Sequence, residues 1–378
     1  MLKWIYEPSD NVLVFGDFNA SYYMFPYKSD PDIDIVIKGQ YPHARYMSIT
    51  VGGETDIPIV SVYDQLLMPN PGSVNPFYPR ADWDAENRDY TLIVRFAPPL
   101  ANNYFIPGPG CNIVLAGVLP QDGKINRDGI ITLRIYAPGI GYDKKGGVSL
   151  PAISYRARAA DHADDSKTAE EPAHWKNYVA NAKLEEQSSL FFDCELEWFK
   201  PNAVRSSLLQ FNPNTVYMIS SMLKRAPGKL LFIRWKAPAV PDTYHNTGIT
   251  GGYDMRYWSV TFFAKHGDFG FKTIGDYQTV IDKNGFVNMV VSLGVPRPHF
   301  VTAENGFTWV DLADLPLLDY YILYRNVLVS PGFKYTAKTV CEGKEVPPEI
   351  MGAYYPCGKY VEPGYLEHIL PLLSSAVE

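Results

Sequence analysis

A chain of 378 residues has room for two or three domains, and 46% hydrophobic with 14% aromatic content supplies a sizeable core. Its 34 Lys and Arg against 41 Asp and Glu give a net charge of −7 with no basic cluster, which excludes the phosphate-neutralising footprint of a nucleic-acid binder. No apolar run approaches the length of a membrane-spanning helix.

The opening Met-Leu-Lys-Trp-Ile-Tyr-Glu-Pro has no signal-peptide core, so the expected location is the cytoplasm, or outside it with a signal already removed. Tyr (27) and Phe (19) suit half-buried pleated surfaces, while Pro (31) and Gly (29) punctuate between them. Long Ala/Glu/Lys/Leu runs are missing, and the expectation is a mainly β chain.

In chain order, Asn11–Phe18 and Asp34–Lys38 read as short strands parted by turn residues. Arg45–Val51 alternates: Arg45, Met47, Ile49 and Val51 share one face, Tyr46, Ser48 and Thr50 the other. Strands Tyr90–Phe96 and Ile130–Tyr136 follow, and Gly146-Gly-Val-Ser-Leu-Pro151 closes a first β domain, 1–156. The charged, Ala-rich stretch 157–188 reads as a helical connector. A second β domain, 189–378, has strands at Ser189–Phe199, Thr215–Leu223, Lys229–Lys236, Val287–Leu293 and Tyr320–Val329. It ends in a Pro/Gly/Tyr-rich tail and a short helix, Tyr365–Ser374.

The two domains echo each other. Arg45-Tyr-Met-Ser-Ile-Thr50 recurs as Arg256-Tyr-Trp-Ser-Val-Thr261, 211 residues on, and Gln65, Gly72, Val74-Asn75 recur as Gln278, Gly285, Val287-Asn288, 213 residues on. Near-constant spacing points to an internal duplication of a β unit. Each copy sets an arginine at the head of a core-facing row, where it needs carboxylates or carbonyls as partners. Short strands bounded by turns suggest antiparallel sandwiches of jelly-roll type, with barrels as the alternative.

These motifs also resemble the paired bacterial all-β domains of unknown function that are commonly fused in one chain. On the N-terminal side the likeness lies in Asn19-Ala-Ser-Tyr22, the strands leading to Arg45-Tyr46, Leu133-Arg-Ile-Tyr136 and Gly146–Pro151. On the C-terminal side it lies in Trp258–Phe262, Asn284-Gly285 and Phe307-Thr-Trp309. The resemblance implies two sandwich domains and carries no activity or catalytic residues.

Candidate chemistry is sparse. His43, two residues before Arg45, fits a general acid or base, or an exposed turn histidine after Pro42. Asp254 stands two residues before Arg256, and the pair fits a structural ion pair or a carboxylate- or carbonyl-binding fork. His245, in the polar, Gly-rich loop Asp242–Gly252 with Tyr244, forms with Asp242 and Asp254 the best local acid–base constellation, against a plain solvated loop. The catalytic candidates are therefore His245, Asp254, Arg256 and His43, with Tyr46, Tyr244, Tyr253, Tyr257, Trp258 and Arg45 as substrate-binding residues.

No His-x-His spacing, nucleophile elbow or phosphate loop occurs, so no metal and no cofactor is expected. Cys111, Cys194, Cys341 and Cys357 read as four free thiols, or as a Cys341–Cys357 bridge in an exported protein. The aromatic surplus suits a pocket for an apolar or aromatic small molecule, or two cores that consume it. The leading expectation is a cofactor-independent acid–base enzyme of isomerase, cyclase, lyase or hydrolase type. The alternatives are a lipid- or carbohydrate-binding module and a structural, homo-oligomer-forming protein.

Overall fold

The computed structural model describes residues 4–7, 16–54, 57–158, 193–202, 212–264, 270–314 and 319–374. They are mainly β, and no described helix is long and apolar enough to cross a membrane. The chain divides into two compact units: Met1–Val179 with Val204–Thr215 and Pro241–Gly252, and Ala180–Ala203 with Val216–Val240 and Tyr253–Glu378. The expected connector, 157–188, lies outside the described residues apart from 157 and 158.

The first unit holds β1 (Ile5–Glu7), β2 (Ala20–Lys28), β3 (Ile33–Gln40), β4 (Ala44–Gly52), β5 (Pro58–Tyr63), β6 (Asp89–Arg95), β7 (Phe105–Ile106), β8 (Asn112–Leu115), β9 (Asp128–Pro138) and β10 (Ala152–Ala157). One sheet runs β1-β2-β9-β4-β5 and the other β10-β3-β6-β8-β7. Met47, Ile49, Leu133 and Ile135 of the first sheet and Ile35, Ile37, Leu92 and Val94 of the second are buried, as a sandwich interior requires.

The second unit holds β11 (Trp198–Phe199), β12 (Thr215–Ser220), β13 (Leu223–Lys224), β14 (Leu230–Lys236), β15 (Met255–Ala264), β16 (Gly270–Gly275), β17 (Phe286–Ser292), β18 (Phe307–Asp311), β19 (Asp319–Val329), α1 (Pro348–Met351), β20 (Cys357–Val361) and α2 (Pro363–Ser374). Its sheets run β11-β12-β19-β15-β16 and β18-β17-β14-β20. The core between them joins Trp258, Val260 and Phe262 to Ile233, Trp235 and Met289. On the far side of β14 and β17, Leu366, Ile369 and Leu373 of α2 cover Leu230, Phe232 and Val290.

Strand for strand, the two units share one order, with β7 extra in the first and β13, paired with β19, extra in the second. Each also breaks antiparallel pairing at the same place, β6 with β8 and β17 with β18 being parallel. The likeness reaches single side chains. Arg134 Nη1 donates to Thr50 Oγ1 at 2.7 Å, and Thr50 Oγ1 lies 2.9 Å from Ser61 Oγ. Arg325 donates to Thr261, whose hydroxyl is 2.7 Å from that of Thr273. Gly72 and Gly285 both adopt left-handed φ, 81° and 82°. Register sets Arg45 opposite Ala137 and Arg256 opposite Leu328, and these two non-glycine residues have φ of 43° and 50°.

Four local expectations are corrected. Of Asn11–Phe18, 11–15 lie outside the described residues and 16–18 are not strand. Of Ser189–Phe199, 189–192 lie outside them and only Trp198–Phe199 is strand, because Glu195 and Leu196 spend their amides on the Gly358 carbonyl at the edge of β20. The polar faces of β4 and β15 are buried as fully as the apolar ones, since they carry the arginine–hydroxyl networks. Finally, the disulfide joins Cys194 to Cys357, 163 residues apart, and Cys111 and Cys341 are free and exposed. The run beside β20 brings the bonded Cα atoms within 5.1 Å.

Candidate functional site

The expected site residues fall into both units, each considered by itself. In the first unit, His43 leads into β4; its amide bonds Gly146 O at 2.9 Å and its carbonyl accepts from Gly139 at 3.0 Å. The imidazole stacks on Tyr142 at 4.4 Å and meets Trp83 edge-on at 5.5 Å. Burial, with the Arg88 charge second, lowers its pKa from 6.5 to about 4, so the ring is neutral at pH 7.

His245 belongs to the same unit. Its Nδ1 lies 2.7 Å from Asp242 Oδ1, Tyr244 packs edge-on at 5.2 Å, and both members of the dyad are more than half exposed. The Tyr244 carbonyl accepts from the Ile140 amide at 2.7 Å, which fixes this loop against 139–142. Arg45 is buried, and Tyr46 lies in the interior with its hydroxyl accepting from Asn214 at 2.9 Å; burial pushes its pKa to about 12.

In the second unit, Asp254 is a buried bend residue immediately before β15, whose alternation carries Trp258, Val260 and Phe262 into the core. Asp254 occupies the position of His43: both stand two residues before the signature arginine, and the Ser330 amide bonds Asp254 O as Gly139 bonds His43 O. Asp254 Oδ2 accepts the Ala239 amide at 2.8 Å. Burial still outweighs that bond and the charge of Lys236, and raises the carboxyl pKa. Tyr253 lies beneath the Arg256 guanidinium at 5.9 Å, and Tyr257 is buried on the opposite face.

Around Asp254 the structure gathers residues that the sequence did not single out. Trp235 of β14 packs on Trp258 at 5.6 Å and on Tyr324 at 6.0 Å, and Asn326 sits across from Trp258 in the β15–β19 register. Trp235 Nε1, Tyr324 Oη and both amide atoms of Asn326 are buried and close no hydrogen bond. Burial holds the Tyr324 pKa well above that of free tyrosine, and the Asn326 amide and Trp235 indole face its hydroxyl as hydrogen-bonding neighbours beyond ordinary bond length and lower it. At the rim, Tyr354 stacks on Tyr335 at 5.3 Å and Lys236 Nζ lies 5.9 Å from the Tyr354 ring. Burial and then the Asp254 charge push the Tyr354 pKa to about 12.

The result is a shielded carboxyl of raised basicity, at the edge of an aromatic floor with unused hydrogen-bonding groups. Such a set suits proton transfer on a small, mostly apolar molecule. Two open depressions of about 390 Å³ each lie elsewhere, one at Arg225–Gly228 and Leu293–Val295, the other on the outer face of β3, β6 and β10.

A signal for the missed residues exists: Tyr324 and Asn326 flank Arg325 on the core-facing parity of an otherwise apolar strand. At the same positions around Arg134, the first unit has Leu133 and Ile135, and it has Met47 where the second has Trp258.

No protein-family model matches the sequence, and no curated protein matches it. The fold is similar to that of an uncharacterised protein from Burkholderia cenocepacia, with a TM-score of 0.50 and 10% identity over 93% of this chain and 78% of that one. The VPA0106 protein from Vibrio parahaemolyticus aligns with a TM-score of 0.47 and 12% identity over 96% of this chain and 92% of that one.

Proposed function

We propose that the second unit binds a small apolar or aromatic molecule at the Asp254 end of its sandwich and acts on it by proton transfer, without an organic cofactor. The observation that carries this reading is the Asp254 carboxyl, held by one backbone amide and made more basic by burial beside Tyr324 and Trp258. A carboxylate in that state accepts a proton near neutral pH better than an exposed one. Trp235, Trp258 and Tyr354 supply ring faces for the ligand, and Arg256 supplies buried positive charge behind them. His43 and the His245–Asp242 dyad stay outside this reading, since they belong to the other unit.

We further propose that the two units descend from one duplicated jelly-roll-type ancestor, and that the chain is akin to the paired bacterial all-β domains noted above. Shared strand order, the parallel break and the matched arginine–hydroxyl networks support both.

The test is to soak crystals with a mixture of small ring compounds and read the density among Lys236, Asp254, Tyr324 and Tyr354. Density there, displaced in an Asp254→Leu variant of unchanged fold, is the expected result. An empty site across a chemically broad mixture refutes the reading.

A further inference from the structure

Resting on that reading, we infer that Trp235, Tyr324 and Asn326 form a donor set for a developing oxyanion, so that the substrate is a carbonyl compound with an enolisable C–H and the reaction an enolisation. All three side chains lie at 0–1% exposure, and each keeps a donor without a partner: an indole N–H, a phenol O–H and an amide N–H. Orphaned donors at such depth cost folding free energy, because water has been removed and nothing replaces it.

The first unit shows the alternative. The positions of Tyr324 and Asn326 hold Leu133 and Ile135 there, which bury as completely and leave no polar atom behind. The second unit has the same strand order and carries Tyr324 and Asn326 at these two positions instead.

The chemistry follows from the neighbours. Asp254, buried, directly precedes the strand that carries Trp258 into the core, and Trp258 packs on Tyr324 at 6.3 Å and pairs with Asn326 in the β15–β19 register. A carbonyl compound lying on the aromatic floor would place its oxygen toward the donors and its α-carbon toward the carboxylate. Asp254 takes the α-proton, the C–H electron pair becomes the C=C bond, and the carbonyl π pair moves onto oxygen. The protonated carboxyl then returns the proton to carbon, so no oxidant, reductant or metal is consumed. Donors fixed in advance in a water-poor site stabilise charge that develops on oxygen far better than water-exposed groups do.

Two probes of one shape separate the donor set from the pocket. Naphthalene reads apolar binding alone, and 2-naphthol, an enolate-like phenol, reads the donors. The wild-type protein is expected to bind 2-naphthol about tenfold tighter than naphthalene. Tyr324→Phe and Asn326→Ile should each remove most of that preference and leave naphthalene affinity within about twofold, and Trp235→Phe, which also alters a ring face of the pocket, should lower the ratio of the two affinities. In deuterated water the wild type should speed exchange of the α-protons of 2-tetralone, with Tyr324→Phe slowing it about a hundredfold.

Equal affinity for both probes, unchanged in all three variants, would overturn the donor set while the pocket stood. Failure of both probes to bind the wild type would overturn the pocket and the donor set together.

Discussion

Asn326→Ile should make the protein more stable while disabling its site. Asn326 is 1% exposed, and neither its amide nitrogen nor its amide oxygen closes a hydrogen bond. Removing a buried, unpartnered amide recovers about 1–3 kcal/mol of desolvation cost. The first unit shows that Ile is accepted at this position, since Ile135 packs there at 2% exposure. Ile is bulkier than Asn against Trp235 and Trp258, and imperfect fit takes back up to about 1 kcal/mol. The net expectation is a gain of about 1–2 kcal/mol, or roughly 2–4 °C in Tm per kcal/mol for a unit of this size. Urea denaturation followed by tryptophan fluorescence reads it directly, with an unchanged slope as the sign that only stability has moved. A loss of 1 kcal/mol or more would mean that the amide is held in the native protein, and the argument for an unpartnered site would fall with it.

Other consequences can be measured alongside. Cys194→Ser should cost up to about 5 kcal/mol, since the bond closes a loop of 163 residues; a variant as stable as the oxidised wild type would show that the bond contributes nothing. For Asp254→Asn the sign follows from a folded pKa above the unfolded one: the aspartate costs stability once ionised, so the variant is the more stable at pH 7.5 and the gap closes as pH falls through the raised pKa toward 3.8. Equal stability at pH 7.5 would contradict a desolvated carboxyl. His43 has the opposite sign, its folded pKa being depressed. Its contribution is complete above 6.5 and drains away as pH falls toward about 4, at most ~3.4 kcal/mol and, with solvent reaching the ring, about 1–2. His43→Phe should flatten that part of the pH–stability curve, and an unaltered curve would remove His43 as its source. Ala137→Gly should add up to about 1 kcal/mol by relieving a left-handed φ of 43°, detectable as a higher urea midpoint.

What could be read from the sequence was the scaffold, and the reason lies in how the repeat is written. The Arg45 and Arg256 strands match over six residues because both must bury an arginine above a Ser-x-Thr polar face, so the recurring motif surfaced and the strands followed from period-2 alternation. The edges did not follow. β5, β8, β10 and β16 are short or lie beside turns, and the run before β11 is organised by a disulfide to a strand 163 residues away.

The site stayed hidden for a related reason. Its chemistry sits where the copies differ, Met47 against Trp258, Leu133 against Tyr324, Ile135 against Asn326, and two of these pairs lie in strands whose spacing is 191 residues instead of 211. A search tuned to the signature strand never compares them. Only the shared register across β4–β9 and β15–β19 aligns Arg134 with Arg325 and exposes the exchange. His245 drew attention because loop histidines beside a signature strand look functional, but its loop packs in the first unit, while Asp254, nine residues on, is buried in the second. Where two units share one strand order, the positions that agree specify how to fold. The positions that disagree, above all where one copy buries polar atoms the other has no need of, are where a function is to be sought.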